Sequence, residues 1–473
     1  MKKIYYCFFL LTAMLASCNK YLDVKPEDKF TEDQLYSTEA GFNTALNGIY
    51  LGLAANNLYG SELTLSTVEV LAQRFNVSGE HNYVNFANYK YEEANVKSRF
   101  DGIWTAAYKQ ILNINKVMAA LDKHKGVVSE QKASLIKGEC IGLRAMIHFD
   151  MLRLFGPVYA TGKNLSSIPY NKTTTVLPQP LLPAANIIDT VLNDLAAAQQ
   201  YLSADPVISK GVEEFVADGN DWYRKRNVRF NYYAVKALKA RVLLYSGNKP
   251  SALAAAEEVI REAGKWFPWV MPADINSELV NPNRICSPEI FFALYNPDLY
   301  TNQKNIYASA LKPQNILAPA GDKLTAVFEG LEGDYRYKSS WIMPSSGGKT
   351  YRTFFKYEDV LDTKKSFRFL QPLIRISEMY YIAAECTADK NMALQYLNTV
   401  RNARGLQNLS TNADVVTETT KEYRKEFFGE GQLFFYYKRI MTPKLVNGAA
   451  TANDIVPNYV VPLPLSETNQ RSN

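Results

Sequence analysis

Apolar residues recur at steps of three and four along several stretches of the chain. In residues 102–123 they are Ala107, Ile111, Ile114, Met118 and Leu121, and in residues 138–157 they are Cys140, Leu143, Ile147, Met151 and Leu154. This spacing places each set on one face of a helix. Gly156 and Pro157 predict where the second helix ends. The two stretches therefore predict a first pair of amphipathic helices.

The same period continues through the later part of the chain. Further stripes are Ile188, Leu192, Leu195 and Leu202; then Val235, Leu238, Val242 and Tyr245; then Leu253, Ala256, Ile260 and Ala263. Pro250 suits the first turn of the last of these helices. Residues 372–406 predict another helix, a short turn and a second helix. Paired helices with alanines at their crossings are typical of tetratricopeptide-like repeats, and an irregular helical bundle is the alternative.

Long segments rich in Pro, Gly, Asn and Tyr separate these helices. They cover residues 56–100, 156–183, 203–228 and 264–371. Their many aromatic residues argue against disorder. Long ordered loops are where binding sites tend to lie, so we expect the helical scaffold to carry its binding function on these excursions.

The N-terminus has the features of a secretory leader. Lys2 and Lys3 precede an apolar stretch at residues 4–16, which is too short to span a bilayer. The sequence "LASC" that ends at Cys18 resembles a bacterial lipobox. We therefore predict a leader over residues 1–17 and a mature domain over residues 18–473, lipid-anchored through Cys18. An ordinary secreted protein with a chance cysteine is the alternative.

Charge and cysteine content exclude several classes of protein. Loss of Lys2 and Lys3 with the leader lowers the formal net charge from +6 to +4, too little to indicate a nucleic-acid partner. Of five cysteines, Cys7 leaves with the leader and Cys18 is predicted to carry lipid. The remaining cysteines, which are Cys140, Cys286 and Cys386, form an odd and widely spaced set. This set argues against a disulfide framework and against a metal cluster.

Eight motifs follow one another along the chain in a recognisable order. They are "CNKYLDVKPEDKF" (18–30), "TEAGFNTALNGIYLGL" (38–53), "GECIGLRAMIHFDMLRLFGPV" (138–158), "SPEIFFAL" (287–294), "PLIRISEMYYIAAE" (372–385), "LNTVRNARGL" (397–406), "EYRKEFFGEGQLFFYYKR" (422–439) and "YVVPLPLSETNQ" (459–470). In their joint order they resemble the SusD/RagB family of outer-membrane nutrient-binding lipoproteins. The resemblance covers nearly the whole chain.

The resemblance implies a fold, a partner and a class of ligand. The implied fold is all-α, with tetratricopeptide-like helical pairs and long loop excursions that form the ligand face. The implied partner is a TonB-dependent transporter barrel in the outer membrane, over which the protein docks as a lid at the cell surface. The implied ligand is an oligosaccharide or polysaccharide or, in the RagB branch, an oligopeptide. A structural component of a surface complex, without a ligand of its own, is a third class.

Residues that would support catalysis are sparse. The sequence contains no nucleophile elbow, zinc-protease helix or phosphate-binding glycine loop, and His81, His124 and His148 lie far apart. Glu378 and Glu385 share a face of one predicted helix, but their position beside arginine in a scaffold motif favours salt bridges over hydrolysis. We expect a protein without catalytic residues, metal or cofactor.

Aromatic and polar residues on the excursions are the candidates for ligand contact. A flat ring can cover the C–H face of a sugar while amide and guanidinium groups bind its hydroxyls. The candidates are Arg74, Phe75, Tyr83, Asn85, Tyr89, Tyr295, Asn296, Tyr300 and Trp341. For each of them, packing of a loop onto the scaffold is the alternative. The segment 217–227, with Trp222 beside two acidic residues, is interpreted as a solvated turn.

Overall fold

The computed structural model describes residues 31–77, 79–214, 223–276, 280–319, 321–448 and 454–471. The predicted leader, Cys18 and Trp222 lie outside the described residues. The helices in chain order are α1 Glu32–Leu35, α2 Glu39–Leu53, α3 Thr67–Leu71, α4 Val84–Ala87, α5 Ala94–Lys123, α6 Glu130–Phe155, α7 Tyr159–Gly162, α8 Ala184–Tyr201, α9 Val207–Lys210, α10 Tyr232–Tyr245, α11 Lys249–Ala263, α12 Pro272–Asn276, α13 Leu299–Tyr307, α14 Gly321–Phe328, α15 Tyr335–Ser340, α16 Ile376–Cys386, α17 Lys390–Ala403, α18 Val415–Glu426, α19 Leu433–Arg439 and α20 Leu465–Thr468.

Short strands form antiparallel pairs between the helices. The strands are β1 Ser166–Pro169, β2 Leu181–Pro183, β3 Ile290–Tyr295, β4 Trp341–Ile342, β5 Thr353–Phe354, β6 Leu370–Arg375, β7 Leu445–Val446 and β8 Asp454–Ile455. Pairing joins β1 to β2, β3 to β6, β4 to β5 and β7 to β8. Strands β1 to β6 lie within or beside the predicted excursions, which also hold short helices such as α13, α14 and α15, whereas β7 and β8 follow α19.

The long helices agree with the apolar stripes in the sequence. Helix α6 begins after Ser129, whose hydroxyl accepts a hydrogen bond from the Lys132 N–H, and it ends at Phe155, directly before Gly156. Helix α11 begins after Asn248 and carries Pro250 in its first turn, as predicted. The structure confirms an all-α class of fold with stacked helical pairs, among them α5 with α6, α10 with α11 and α16 with α17.

Two glycines allow close packing around helix α6. A Cβ atom on Gly138 would lie 2.5 Å from the Leu202 side chain that follows α8, and one on Gly142 would lie 2.5 Å from the Phe230 ring. Both positions therefore need a residue without a side chain. Around them runs a single large hydrophobic core, which extends from Tyr36 in the N-terminal part to Val461 near the C-terminus.

The segment before helix α16 differs from the prediction. Residues 372–375 were expected to be helical, but they belong to strand β6, which pairs with β3. All residues of β6 are buried, so its apolar positions do not alternate with polar ones. The apolar run of a short, fully buried strand cannot be told from that of a buried helix. Pro372 is the remaining signal in this segment, and it favours the strand only weakly.

Arginine and glutamate side chains form a buried ion cluster between β6 and the C-terminal helices. Its members are Arg336, Arg375, Arg404, Glu289, Glu422, Glu426 and Glu430. Arg404 donates to Glu289 at 2.8 and 2.6 Å and to Glu426 at 3.1 and 2.6 Å. Burial alone would raise the pKa of Glu426, but the surrounding arginines hold it well below its usual value. The cluster thus joins segments that are distant in sequence.

No helix in the described part of the chain is long and apolar enough to cross a membrane.

Candidate functional site

An open cavity of about 700 Å³ lies where the loop after α3 meets the C-terminal segments. Its wall includes Arg74 from that loop, Lys323 from α14, Arg424 from α18 and Tyr437 from α19. Apolar side chains of these elements and of strand β7 line it together with further polar residues, among them Asp322 and Lys444. A cleft of this size, with apolar walls and convergent polar groups, is typical of a ligand site.

The loop after α3 is held in place by Gln73. Its backbone is in the left-handed region, with φ at 57°. Its side-chain amide donates to the carbonyl of Ala87 at 2.7 Å and accepts from the N–H of Gly448 at 2.5 Å. These bonds connect the loop to the segment after β7, so both walls of the cavity are fixed relative to each other.

Arg74 connects the loop to helix α18. Its guanidinium lies 3.9 Å from the centre of the Phe428 ring, its Nε is 2.7 Å from a Glu69 carboxylate oxygen, and its Nη1 donates to the Arg424 carbonyl at 2.7 Å. The side chain is buried, and burial lowers its pKa despite the attraction of Glu69. Arg74 is therefore a rigid part of the cavity wall.

Lys323 faces the same cavity in a partly buried position. Its ammonium group donates to the Asn447 carbonyl at 3.3 Å. Burial lowers its pKa to about 8; Asp322 opposes this shift and Arg424 adds to it. The mutual repulsion of Lys323 and Arg424 indicates that the cavity concentrates positive charge.

Three of the predicted contact residues meet around the ring of Phe428. Arg74 lies over its face, and the rings of Phe75 and Trp341 pack against it with centroid distances of 6.4 and 5.0 Å. Phe75 and Trp341 are each 1% exposed. In this position they offer no surface to a ligand and instead support the wall that holds Arg74.

Three others meet around the ring of Phe369, away from the lining of the cavity. Tyr295 and Tyr300 pack against it with centroid distances of 5.4 and 4.6 Å, and the Asn296 N–H donates to its carbonyl at 2.8 Å. Tyr295 is 51% exposed. The Asn296 side chain is fully buried, where its amide donates to Gln371 at 2.8 Å and to the carbonyl of Gly60 at 3.2 Å. Tyr295 thus presents an open ring, while Asn296 holds the backbone beneath it.

The remaining three predicted contacts lie on and around α4. Tyr83 and Asn85 are partly buried, and the Asn85 amide donates to Asn95 at 3.2 Å. Tyr89 is buried and its hydroxyl donates to the Leu71 carbonyl at 2.8 Å. Tyr89 therefore braces the end of α3, close to the loop that carries Arg74.

Groups that could support catalysis are bound into the scaffold. Glu378 pairs with Arg241 and Glu385 with Arg439, so each predicted salt bridge is confirmed, although neither carboxylate pairs with the neighbouring Arg375. His148 is buried and stacked 3.8 Å from the Tyr170 ring, as a core histidine. Burial lowers its pKa to about 3. In the described residues, His, Cys, Asp and Glu form no group of three or more that could hold a metal ion.

Sequence reasoning missed most of the cavity wall. Arg424 lies within a motif interpreted as scaffold, Lys323 lies in an excursion whose aromatic residues were the candidates, and Lys444 lies in none of the predicted excursions. One signal was present for Arg424: no acidic residue stands three or four positions from it, whereas Lys425 on the same helix has Glu422 at 3.4 Å. A helical cation without a local acidic neighbour is free to face a site.

Two family models match the chain. One, described as "Starch-binding associating with outer membrane", matches residues 20–244, and one described as "SusD family" matches residues 323–468. Among curated proteins, the SusD-like protein P25 of Formosa agariphila is 22% identical over 84% of this chain and 80% of its own length. A SusD-like protein of Bacteroides ovatus is 26% identical over 41% of this chain and 34% of its own length.

Solved structures match over nearly the full length. A SusD superfamily protein from Bacteroides thetaiotaomicron has a TM-score of 0.70 at 22% identity and covers 91% of this chain and 98% of its own. A SusD-like carbohydrate binding protein from Bacteroides vulgatus has a TM-score of 0.70 at 16% identity and covers 92% and 97%. At these identities the likeness shows a shared fold.

Proposed function

The chain belongs to the SusD/RagB family, and from that premise we propose that it is a non-catalytic binding protein that captures glycans in the cavity beside Arg74. The observation that carries the proposal is the cavity itself. Its walls are fixed by Gln73 and Arg74, and it is about 700 Å³ in volume, enough for a short stretch of sugar chain. Its mixture of apolar and hydrogen-bonding groups suits a sugar ring, which has a C–H face and a rim of hydroxyls.

Filling the cavity tests the proposal. Ala326 is exposed on α14 and lines the cavity, whereas its neighbour Thr325 is equally exposed and does not. Isothermal titration against a panel of neutral and acidic oligosaccharides should show binding by the unaltered protein and by Thr325→Trp, and little or none by Ala326→Trp. Binding to peptides with no binding to any glycan would contradict the proposal.

The exposed ring of Tyr295 is proposed as a second contact for a longer glycan. Phe369 packs against it and is itself packed against Tyr300, so an incoming sugar would meet a ring that is already ordered. We expect Tyr295→Ala to weaken binding of long oligosaccharides by a few-fold, in keeping with an aromatic contact of about 0.5–1.5 kcal/mol. Binding of disaccharides should stay unchanged. Tyr83, Asn85 and Tyr300, which are partly accessible, stay predicted contacts.

Cys18 is proposed as the lipid-bearing first residue of the mature protein in the outer membrane. The lipobox-like sequence before it supports this proposal. Detergent phase partition of the native protein should place it in the detergent phase. Cys18→Ser should move it to the aqueous phase with its glycan binding intact. A Cys18→Ser protein that still enters the detergent phase would refute the anchor.

The family supports a TonB-dependent transporter barrel as the partner that receives the glycan at the cell surface. Affinity purification of the protein from detergent-solubilised outer membranes should recover such a barrel in stoichiometric amount. Because the proposed anchor holds the protein at the membrane but does not form the contact, Cys18→Ser protein added to the same membranes should recover it as well. If neither the native protein nor Cys18→Ser recovered a barrel, the partnership would be contradicted. The glycan-binding proposal would be unaffected, because titration tests it separately.

A further inference from the structure

The cavity beside Arg74 carries an excess of positive charge. Arg74, Lys323, Arg424 and Lys444 line it, and Asp322 is the acidic residue of the lining. Glu69 pairs with Arg74 behind the wall. These four cationic side chains against two carboxylates leave a net charge of +2 at one open cleft.

The charge is only partly neutralised by the protein. Within the described residues, no carboxylate pairs with Arg424 or Lys444, and the Lys323 ammonium binds a backbone carbonyl. The positive charge of Arg424 also repels Arg74 and Lys323 and so contributes to the lowered pKa of each. In the buried ion cluster, by contrast, carboxylates match the arginines, as Glu289 and Glu426 do Arg404. The charge of the cavity wall is therefore less neutralised than that of the buried ion cluster in the same fold.

Such an arrangement favours an anionic occupant. Like charges held together at a partly desolvated wall raise the free energy of the empty site, and an anion that enters relieves this repulsion. Guanidinium groups bind carboxylates and sulfates through paired N–H donors. A neutral sugar would receive hydrogen bonds from the same groups but would leave the net charge uncompensated.

Resting on the proposed glycan-binding function, we propose that this cavity selects acidic oligosaccharides, whose sugar carboxylate or sulfate groups bind Arg424 and Lys444 at its wall. Lys323 then faces the same anion from α14. The apolar lining formed by Val327, Leu433 and Leu445 accepts the C–H face of the ring. Carboxylate and sulfate share the chemistry that the wall recognises, and the probes below separate them.

The test compares matched probes by isothermal titration with the full-length protein. Hexagalacturonate supplies sugar carboxylates, and the same hexasaccharide reduced at its carboxyl groups supplies an identical neutral backbone. A heparin-derived hexasaccharide supplies sulfate, and a short poly-glutamate supplies carboxylates without sugar. We expect at least one acidic saccharide to bind about tenfold or more tightly than the neutral hexasaccharide, and added salt to weaken only the acidic binding.

Variants of the cationic lining residues test whether they cause the preference for acidic saccharides. Arg424→Gln should remove about tenfold or more of the acidic affinity, the loss expected of one charge-assisted hydrogen bond, and should weaken neutral binding much less, so the ratio of the two affinities falls. Lys444→Gln, at an exposed position, should act in the same direction. Lys421→Gln on the same helix is the matched control, because Lys421 pairs with Glu418 at 2.7 Å and does not line the cavity. This control should retain the preference.

Each other outcome decides against a specific claim. Equal binding of the acidic and neutral hexasaccharides, or a preference that survives both Arg424→Gln and Lys444→Gln, overturns the selection of acidic sugars and leaves the glycan proposal standing. Poly-glutamate binding as tight as that of the acidic saccharides overturns the sugar specificity. Absence of binding to every saccharide, with binding to neutral peptides, overturns the proposed function itself.

Discussion

Replacement of Arg404 by methionine isolates the contribution of the buried ion cluster to stability. The side chain is fully buried and makes four hydrogen bonds to two carboxylates. Methionine fills much of the same volume but leaves Glu289 with the Val270 N–H at 3.1 Å and, as its cationic partner, only a distant Arg375 at 3.8 Å. Loss of one partner leaves the other charge buried and unpaired, which costs about 3–5 kcal/mol because its desolvation is no longer compensated. We expect Arg404→Met to lower the free energy of unfolding by this amount.

Arg368 supplies a control with a similar two-bonded carboxylate pair at the surface. It forms a two-pronged pair with Asp359, with donor–acceptor distances of 2.9 and 2.8 Å, as Arg404 does with Glu289. The pair is solvent-accessible, so Arg368→Met should cost about 1 kcal/mol or less. Urea unfolding followed by circular dichroism gives both values. The double variant Arg404→Met with Glu289→Gln should regain part of the loss, because it neutralises the stranded carboxylate. Equal costs for Arg404→Met and Arg368→Met would refute the reasoning.

Three further predictions concern Glu422, Gly431 and Cys140. Burial would raise the pKa of Glu422, but the neighbouring cations outweigh it and lower this pKa to about 2. The stability that the ionised carboxylate contributes is therefore present above its unfolded pKa of 4.5 and is lost as the pH falls toward 2, so urea midpoints should fall over this range, and a flat profile would contradict this. Gly431→Ala should destabilise strongly in thermal unfolding because its Cβ would lie 1.8 Å from the Leu63 carbonyl oxygen, whereas Gly333→Ala, which meets nothing within 4 Å, should be nearly neutral. Cys140 is buried, and burial raises the pKa of its thiol, so peptide mapping should show maleimide on Cys140 only after unfolding.

The helical scaffold could be predicted from sequence because its signal is local. Stripes such as the one from Cys140 to Leu154 repeat over several turns, and caps such as Gly156 mark their ends. Strand β6 could not be assigned in this way, since its residues are buried on both faces and its partner β3 is about eighty residues away. The pairing that fixes its conformation is not a local property.

The candidate site was predictable only in part. Trp341 and Phe75 stand in segments that look like exposed loops, yet tertiary packing around Phe428 buries both, and composition does not say which side of a loop faces the core. Arg74 was found because it lies in a segment, residues 68–93, that combines aromatic and polar residues. Arg424 was missed because it belongs to a motif whose other residues, such as Glu426, are scaffold.

Helix α18 faces two environments at once. On its inner side Glu422 and Glu426 enter the buried ion cluster, and on its outer side Thr420 and Arg424 line the cavity. The bond from Arg74 reaches the backbone carbonyl of Arg424, so it does not depend on the side chain there. The outer positions can therefore exchange side chains while the inner ones keep the helix in register. A protein built in this way can change its ligand preference through substitutions on one face of one helix, while the rest of the fold stays the same.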